Sequence, residues 1–101
     1  MPLRMLIVVR DDLTPPQAAV ACAHASLAAY LKWGKEPLFQ EWLGSFIKVI
    51  RKADANQFEQ AKKEFPNIVL TESTLGNRET CLVFNIDREY PKFLNFLPRY
   101  S

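Results

Sequence analysis

Four side chains in this sequence can make a reaction centre if the fold brings them together: His24, Asp12 and Glu72 to activate a water, and Thr80 to position the group it attacks. His24 is the chain's single histidine, and an imidazole is the one side chain that exchanges protons readily near neutral pH without a large perturbation. Asp12 sits between a short apolar strand and a helix, where a carboxylate can hold a water or simply brace the turn. Glu72 and Thr80 fall at the ends of later strands, and they gain a functional meaning only by converging with Asp12. Around them stand groups suited to binding: Arg10, Lys52 and Arg78 can neutralise phosphates, and Thr14 and Gln17 offer polar atoms at the start of the helix. Each also has a plain structural reading. Gln17 completes a capping box, and His24 shares a helical stripe with Val20, Ala21, Leu27 and Leu31, where it can serve only to orient a loop. Strand ends are often solvated and basic, and threonine favours strands for its own reasons.

The elements that must position these residues are legible in the hydrophobic pattern. Met5-Leu-Ile-Val-Val-Arg10 reads as a buried strand, and the residues after it lead into an alanine-rich helix over 15–33, with Thr14 as N-cap, Pro15 in the first turn and Gly34 as the stop. A strand feeding a helix N-terminus is a natural anion seat, because unpaired backbone N–H groups and the helix dipole point at the turn. Phosphate is therefore a candidate ligand there. Pro37 to Leu43 reads as a short amphipathic helix ended by Gly44, and Phe46 to Lys52 alternates apolar and basic residues as a half-buried strand does. Asp54 to Phe65 carries a second capping box, Asp54 with Gln57, and stops at Pro66. Asn67 to Glu72 and Thr80 to Ile86 are strands joined by a turn containing Gly76 and Asn77, and a last short helix covers Tyr90 to Leu97.

The order β-α-α-β-α-β-β-α predicts an α/β fold: a single domain over residues 1–101 whose mixed, mostly parallel four-stranded sheet is flanked by helices on both faces. Ligands gather where parallel strands end. Those ends are Arg10 to Thr14, Arg51 with Lys52, and Glu72 with Ser73, and Thr80 arrives at the same edge.

Composition excludes several classes. A chain of 101 residues with 49% hydrophobic content supports one core. The formal charge of +2, from 13 Lys plus Arg against 11 Asp plus Glu, permits nucleic-acid binding without requiring it. No apolar run approaches the roughly 20 residues that span a bilayer, and no signal peptide is recognisable, so a cytoplasmic protein with no membrane partner is expected. Cys22 and Cys81 lack metal-ligand spacing and read as free thiols, Cys22 as a small core residue among alanines; no metal or organic cofactor is expected.

Leu6-Ile-Val-Val-Arg-Asp-Asp-Leu13 resembles the opening strand and Arg-x-Asp-Leu of the second, archaeal and eukaryotic, type of peptidyl-tRNA hydrolase. Cys22-Ala-His-Ala25, with Leu27 and Tyr30, resembles that family's Cys-Ser-His-Ala helix, and Phe46 to Lys52 and Glu72 to Thr80 continue the pattern in order. The resemblance implies a homodimer of mixed α/β fold that hydrolyses the ester of peptidyl-tRNA or N-blocked aminoacyl-tRNA. It implies tRNA as partner and no cofactor; joined to the convergence above, it leads to a site with catalytic Asp12, His24, Glu72 and Thr80 and substrate binding by Arg10, Thr14, Gln17, Lys52 and Arg78. Two departures stand out. The family's functional Lys inside the first helix is Gln17 here, and its Asp-Ala-Gly-Arg-Thr segment becomes Glu72-Ser-Thr-Leu-Gly76. The chain is thus either a divergent hydrolase or a member that has kept RNA or protein binding without catalysis; a small-molecule esterase or ligand-binding domain is a third reading.

Overall fold

The computed structural model describes residues 1–100. Its elements are β1 (Met5–Arg10), α1 (Pro15–Trp33), α2 (Pro37–Trp42), β2 (Lys48–Ala53), α3 (Ala55–Ala61), β3 (Asn67–Glu72), a single 3-10 turn (Ser73–Leu75), β4 (Arg78–Phe84) and α4 (Lys92–Phe96). The four strands form one sheet in the order β2-β1-β4-β3.

That order corrects one expectation. β1 pairs with β2 in parallel, but β4 pairs antiparallel with both β1 and β3, so the sheet is mixed and not mostly parallel. β1, β2 and β3 do run in one direction. The reason is the turn after β3: Gly76 at φ 69° and Asn77 at φ 59° adopt the left-handed region and reverse the chain. β4 then inserts between β1 and β3, so β3 never touches a parallel neighbour.

β1 is the spine of the domain, and its alternate side chains enter two cores. Met5, Ile7 and Val9 pack with Ala18, Ala21, Ala25 and Ala29 of α1, with Trp33, Phe39 and Trp42, and with Cys81 and Val83. Leu6 and Val8 pack with Phe58 and Ala61 of α3, Leu82 and Phe84 of β4, and Tyr90, Leu94 and Leu97. The buried stripe of α1 is therefore alanine, whose small side chain lets the helix backbone lie close on the sheet. Val20, Leu27, Tyr30 and Leu31 are exposed instead. Trp33, Phe39 and Trp42 are core residues; Trp42 Nε1 donates to the Ile47 carbonyl at 2.7 Å, and its ring meets Phe39 edge to face.

Element ends shift for local reasons. Phe46 sits at φ 57°, so the second strand starts at Lys48. The Asn67 side-chain amide donates to the carbonyls of Lys62 and Phe65, and α3 ends at Ala61, well before Pro66. β4 starts two residues before Thr80, because Arg78 pairs with Glu72. Both capping boxes form: Thr14 Oγ1 accepts from the Gln17 N–H, Gln17 Oε1 accepts from the Thr14 N–H, and Asp54 with Gln57 repeats the arrangement. No helix among the described residues is long and apolar enough to cross a membrane.

Candidate active site

The directions of β1, β2 and β3 bring their C-terminal ends to one edge of the sheet, where β4 begins. Two polar clusters form there. In the first, Asp12 Oδ2 receives Nη2 of both Arg10, at 3.1 Å, and Arg78. These two guanidiniums come from positions far apart in the sequence, and the Asp12 carboxylate holds them together, half exposed to solvent.

The second cluster is built on Glu72. Its Oε1 lies 3.6 Å from His24 Nε2, while its Oε2 accepts from the Thr74 N–H at 3.2 Å and the Thr74 hydroxyl at 3.1 Å. The Thr74 backbone N–H, then its hydroxyl, and to a smaller degree His24 hold the Glu72 carboxyl below the usual carboxylate range. Thr74 thus belongs to the site although the sequence reading passed over it. The signal was present: an acid two residues before Ser or Thr can cap the turn that follows. Because Glu72 and Arg78 are register partners, the start of β4 ties the two clusters together.

Between α1 and the β3–β4 turn lies a cavity of about 190 Å³, lined by Pro16, Gln17, Val20, Ala21, Glu72, Thr74, Leu75 and Thr80. Thr80 reaches it through a bulge. Leu70 pairs with Cys81 and Thr71 with Glu79, which leaves Thr80 as the extra residue on β4. Strict alternation would send Thr80 and Cys81 to opposite faces. Here Thr80 lines the cavity beside Ala21, and Cys81 Sγ donates to the Ala21 carbonyl at 3.5 Å. The Thr80 hydroxyl donates to the Leu70 carbonyl at 3.3 Å, and its oxygen keeps acceptor capacity.

The anion seat expected at the N-terminus of α1 is not available. Pro15 and Pro16 have no N–H, the Gln17 N–H goes to Thr14 Oγ1, and the Ala18 N–H goes to the Thr14 carbonyl at 2.9 Å. Every donor of the first turn is absent or used. Positive charge at this edge comes from Arg10 and Arg78 instead. Gln17 lines the cavity with its side-chain oxygen committed to the cap, and Thr14 is its capping partner. Lys52 stands on β2 opposite Val9, on the far side of β1 from β4 and β3, so strand spacing puts its backbone about 14 Å from that of Glu72. Among the described residues no group of three His, Cys, Asp or Glu side chains is placed to hold a metal ion.

Among curated proteins the comparison found no match. The sequence profile of the family described as Peptidyl-tRNA hydrolase PTH2 matches residues 3–81, a span that contains both polar clusters and every residue lining the cavity. The resemblance noted in the strand-to-helix motif thus extends over most of the chain, and the protein belongs to the PTH2 family of peptidyl-tRNA hydrolases.

Proposed function

We propose that this protein hydrolyses the ester bond of peptidyl-tRNA or N-blocked aminoacyl-tRNA, with the cavity between α1 and the β3–β4 turn as the reaction site. The observation that carries the reading is Glu72, which lines that cavity near the hydroxyl that the bulge turns inward and pairs with His24 at 3.6 Å. Glu72, held as a carboxylate by Thr74, faces His24 Nε2 and orients the imidazole. A water beside His24 Nδ1, the ring nitrogen turned away from Glu72, attacks the ester carbonyl and gives its proton to that nitrogen. The tetrahedral intermediate then collapses, and His24 returns the proton to the departing ribose oxygen. Thr80 positions the ester, and the free oxygen of Asp12 takes a water or a ribose hydroxyl. Arg10, Arg78 and, further out, Lys52 meet phosphates, while Gln17 on the cavity wall, held by its capping partner Thr14, lies beneath the 3′ end.

A second reading is a family member that binds tRNA, or a protein partner, without cleaving it. It is favoured by Gln17, which stands where the family carries its functional Lys and whose oxygen is taken by the cap. Assembly as a homodimer belongs to the same proposal; the exposed Val20, Leu27, Tyr30 and Leu31 along α1 are apolar surface suited to a second copy. That α1 residues fill one core and α3 and α4 residues the other supports a sheet covered by helices on both faces within a single domain.

The test is cleavage of N-acetylaminoacyl-tRNA by the wild type beside His24→Ala and Asp12→Asn. Turnover that falls at least a hundredfold in His24→Ala, in line with loss of a general base, supports the hydrolase. A folded wild type that binds tRNA but never cleaves it selects the binding reading, and absence of binding overturns both.

A further inference from the structure

Away from the cavity, the C-terminal segment brings two arginines side by side. The Lys52 N–H donates to the Pro98 carbonyl at 2.8 Å and the Tyr100 N–H to the Ile50 carbonyl at 3.0 Å, so Arg51 and Arg99 form an antiparallel bridge. The hydrogen bonds flank the pair, which makes it the non-hydrogen-bonded kind. In such pairs the Cα atoms approach to about 4.5 Å and both side chains leave from one face. Like charges directly opposite each other destabilise the pairing.

Nothing among the described residues offsets these charges. The Arg51 Nη1 group donates to the Leu97 carbonyl at 2.6 Å, and the Arg4 guanidinium lies 5.8 Å from the centre of the Tyr90 ring that packs in the same core. Burial, then the like charges of Arg99 and Arg4, push the Arg51 guanidinium below its ordinary value, although arginine stays charged. Arg10 and Arg78 share Asp12, and Arg88 pairs with Glu41, but Arg4, Arg51 and Arg99 form no ion pair among the described residues. The Nε groups of Arg4 and Arg51 are buried without a hydrogen-bond partner. Two guanidiniums held side by side by the bridge, with no carboxylate among the described residues paired to either, constitute a site that an oligoanion would complete.

We propose that Arg51 and Arg99 form a phosphate-binding site for the sugar-phosphate backbone of the RNA substrate. The inference rests on the tRNA reading above and adds a second contact region to it. β2 and β3 are opposite edges of the sheet, so this site engages a part of the RNA other than its reacting 3′ end. Arg99 lies beyond residues 3–81, the span matched by the family profile.

The experiment is binding of deacylated tRNA to the full chain, followed by fluorescence anisotropy across a salt series, for the wild type, Arg99→Gln and Arg99→Glu. Thermal unfolding is recorded beside it. Arg99 is exposed, so its replacement leaves the cores intact. Arg99→Gln is expected to weaken binding about tenfold at low salt and to reduce the slope of log K against log salt by about 1, as loss of one phosphate contact does. Arg99→Glu is expected to weaken binding further while raising the melting temperature, because a carboxylate opposite Arg51 removes the like-charge pair. If the wild type binds tRNA and both variants match its affinity and slope, the site is overturned and the tRNA reading stands. If the wild type binds no tRNA, both fall.

Discussion

Glu72 and Thr74 make a closed unit: one carboxylate oxygen accepts both the backbone N–H and the hydroxyl of the residue two positions on, which leaves the other oxygen to face His24. The carboxylate that would orient the imidazole is thereby fixed by its own turn.

Acid should undo that unit before it unfolds the protein. The folded-state pKa of Glu72 is depressed, chiefly by the Thr74 N–H and hydroxyl. Its contribution to stability is therefore fully present above the ordinary glutamate value of about 4.3 and is lost as pH falls through the lower folded value. Thr74→Ala removes the hydroxyl bond and should move the Glu72 titration upward, towards the ordinary value, in a carbon-detected NMR titration. An unchanged midpoint would count against the capping account.

Thr80→Val keeps the shape of the buried residue and deletes its hydroxyl. The lost bond to the Leu70 carbonyl should cost about 0.5–1.5 kcal/mol in urea unfolding. On the proposed function, cleavage should fall by more than tenfold while tRNA affinity is retained. Equal turnover in the two proteins would remove Thr80 from the reaction site.

Enlarging the alanine stripe of α1 should be poorly tolerated. Ala25 and Ala29 are fully buried against the sheet, so Ala25→Leu has no space to enter and should destabilise by about 1–3 kcal/mol through overpacking. Denaturant midpoints decide this. A neutral result would mean that α1 can ride further from β1 than the packing indicates.

The two thiols should resist modification until the fold opens. Burial pushes Cys81 up to about 12 and raises Cys22 as well, so neither holds appreciable thiolate near neutral pH. Ellman's reagent should react fully only after denaturation, with Cys81 the slower of the two in the native protein. Rapid titration of both in native buffer would contradict the burial of Cys81 beneath α1.

What the sequence revealed was local. Thr14 with Gln17, and Asp54 with Gln57, announce their helices because the capping groups are three residues apart and need nothing else. Gly76 and Asn77 likewise mark a reversal that only left-handed residues make easily. Lys52, expected beside Arg10, Asp12 and Glu72, stands on the opposite edge strand, whereas the meeting of those three at one edge followed from strand direction. The neighbour relations did not: whether β4 lies inside or outside β3 depends on the whole domain, and it decides mixed against mostly parallel. The inward turn of Thr80 hinges on one extra residue in a ladder, which periodicity cannot register. The empty anion seat was visible in Pro15 and Pro16, and favouring the helix dipole over the missing donors hid it. The many alanines of α1 pointed to close packing on the sheet, and with Trp33 they line its buried side, while Val20, Leu27 and Leu31 on the stripe of His24 stay exposed.

The place of β1 in the sheet has a consequence for how the chain acquires its structure. Its two partners are β2, from the middle of the sequence, and β4, from near the end, so the central strand lacks one neighbour until the last strand emerges. Non-local pairing of this kind slows folding and leaves an apolar strand edge unprotected in the meantime. A ribosome that has released only the first half of this chain displays that open edge, and the nascent protein is most vulnerable to misassociation over that interval of its synthesis.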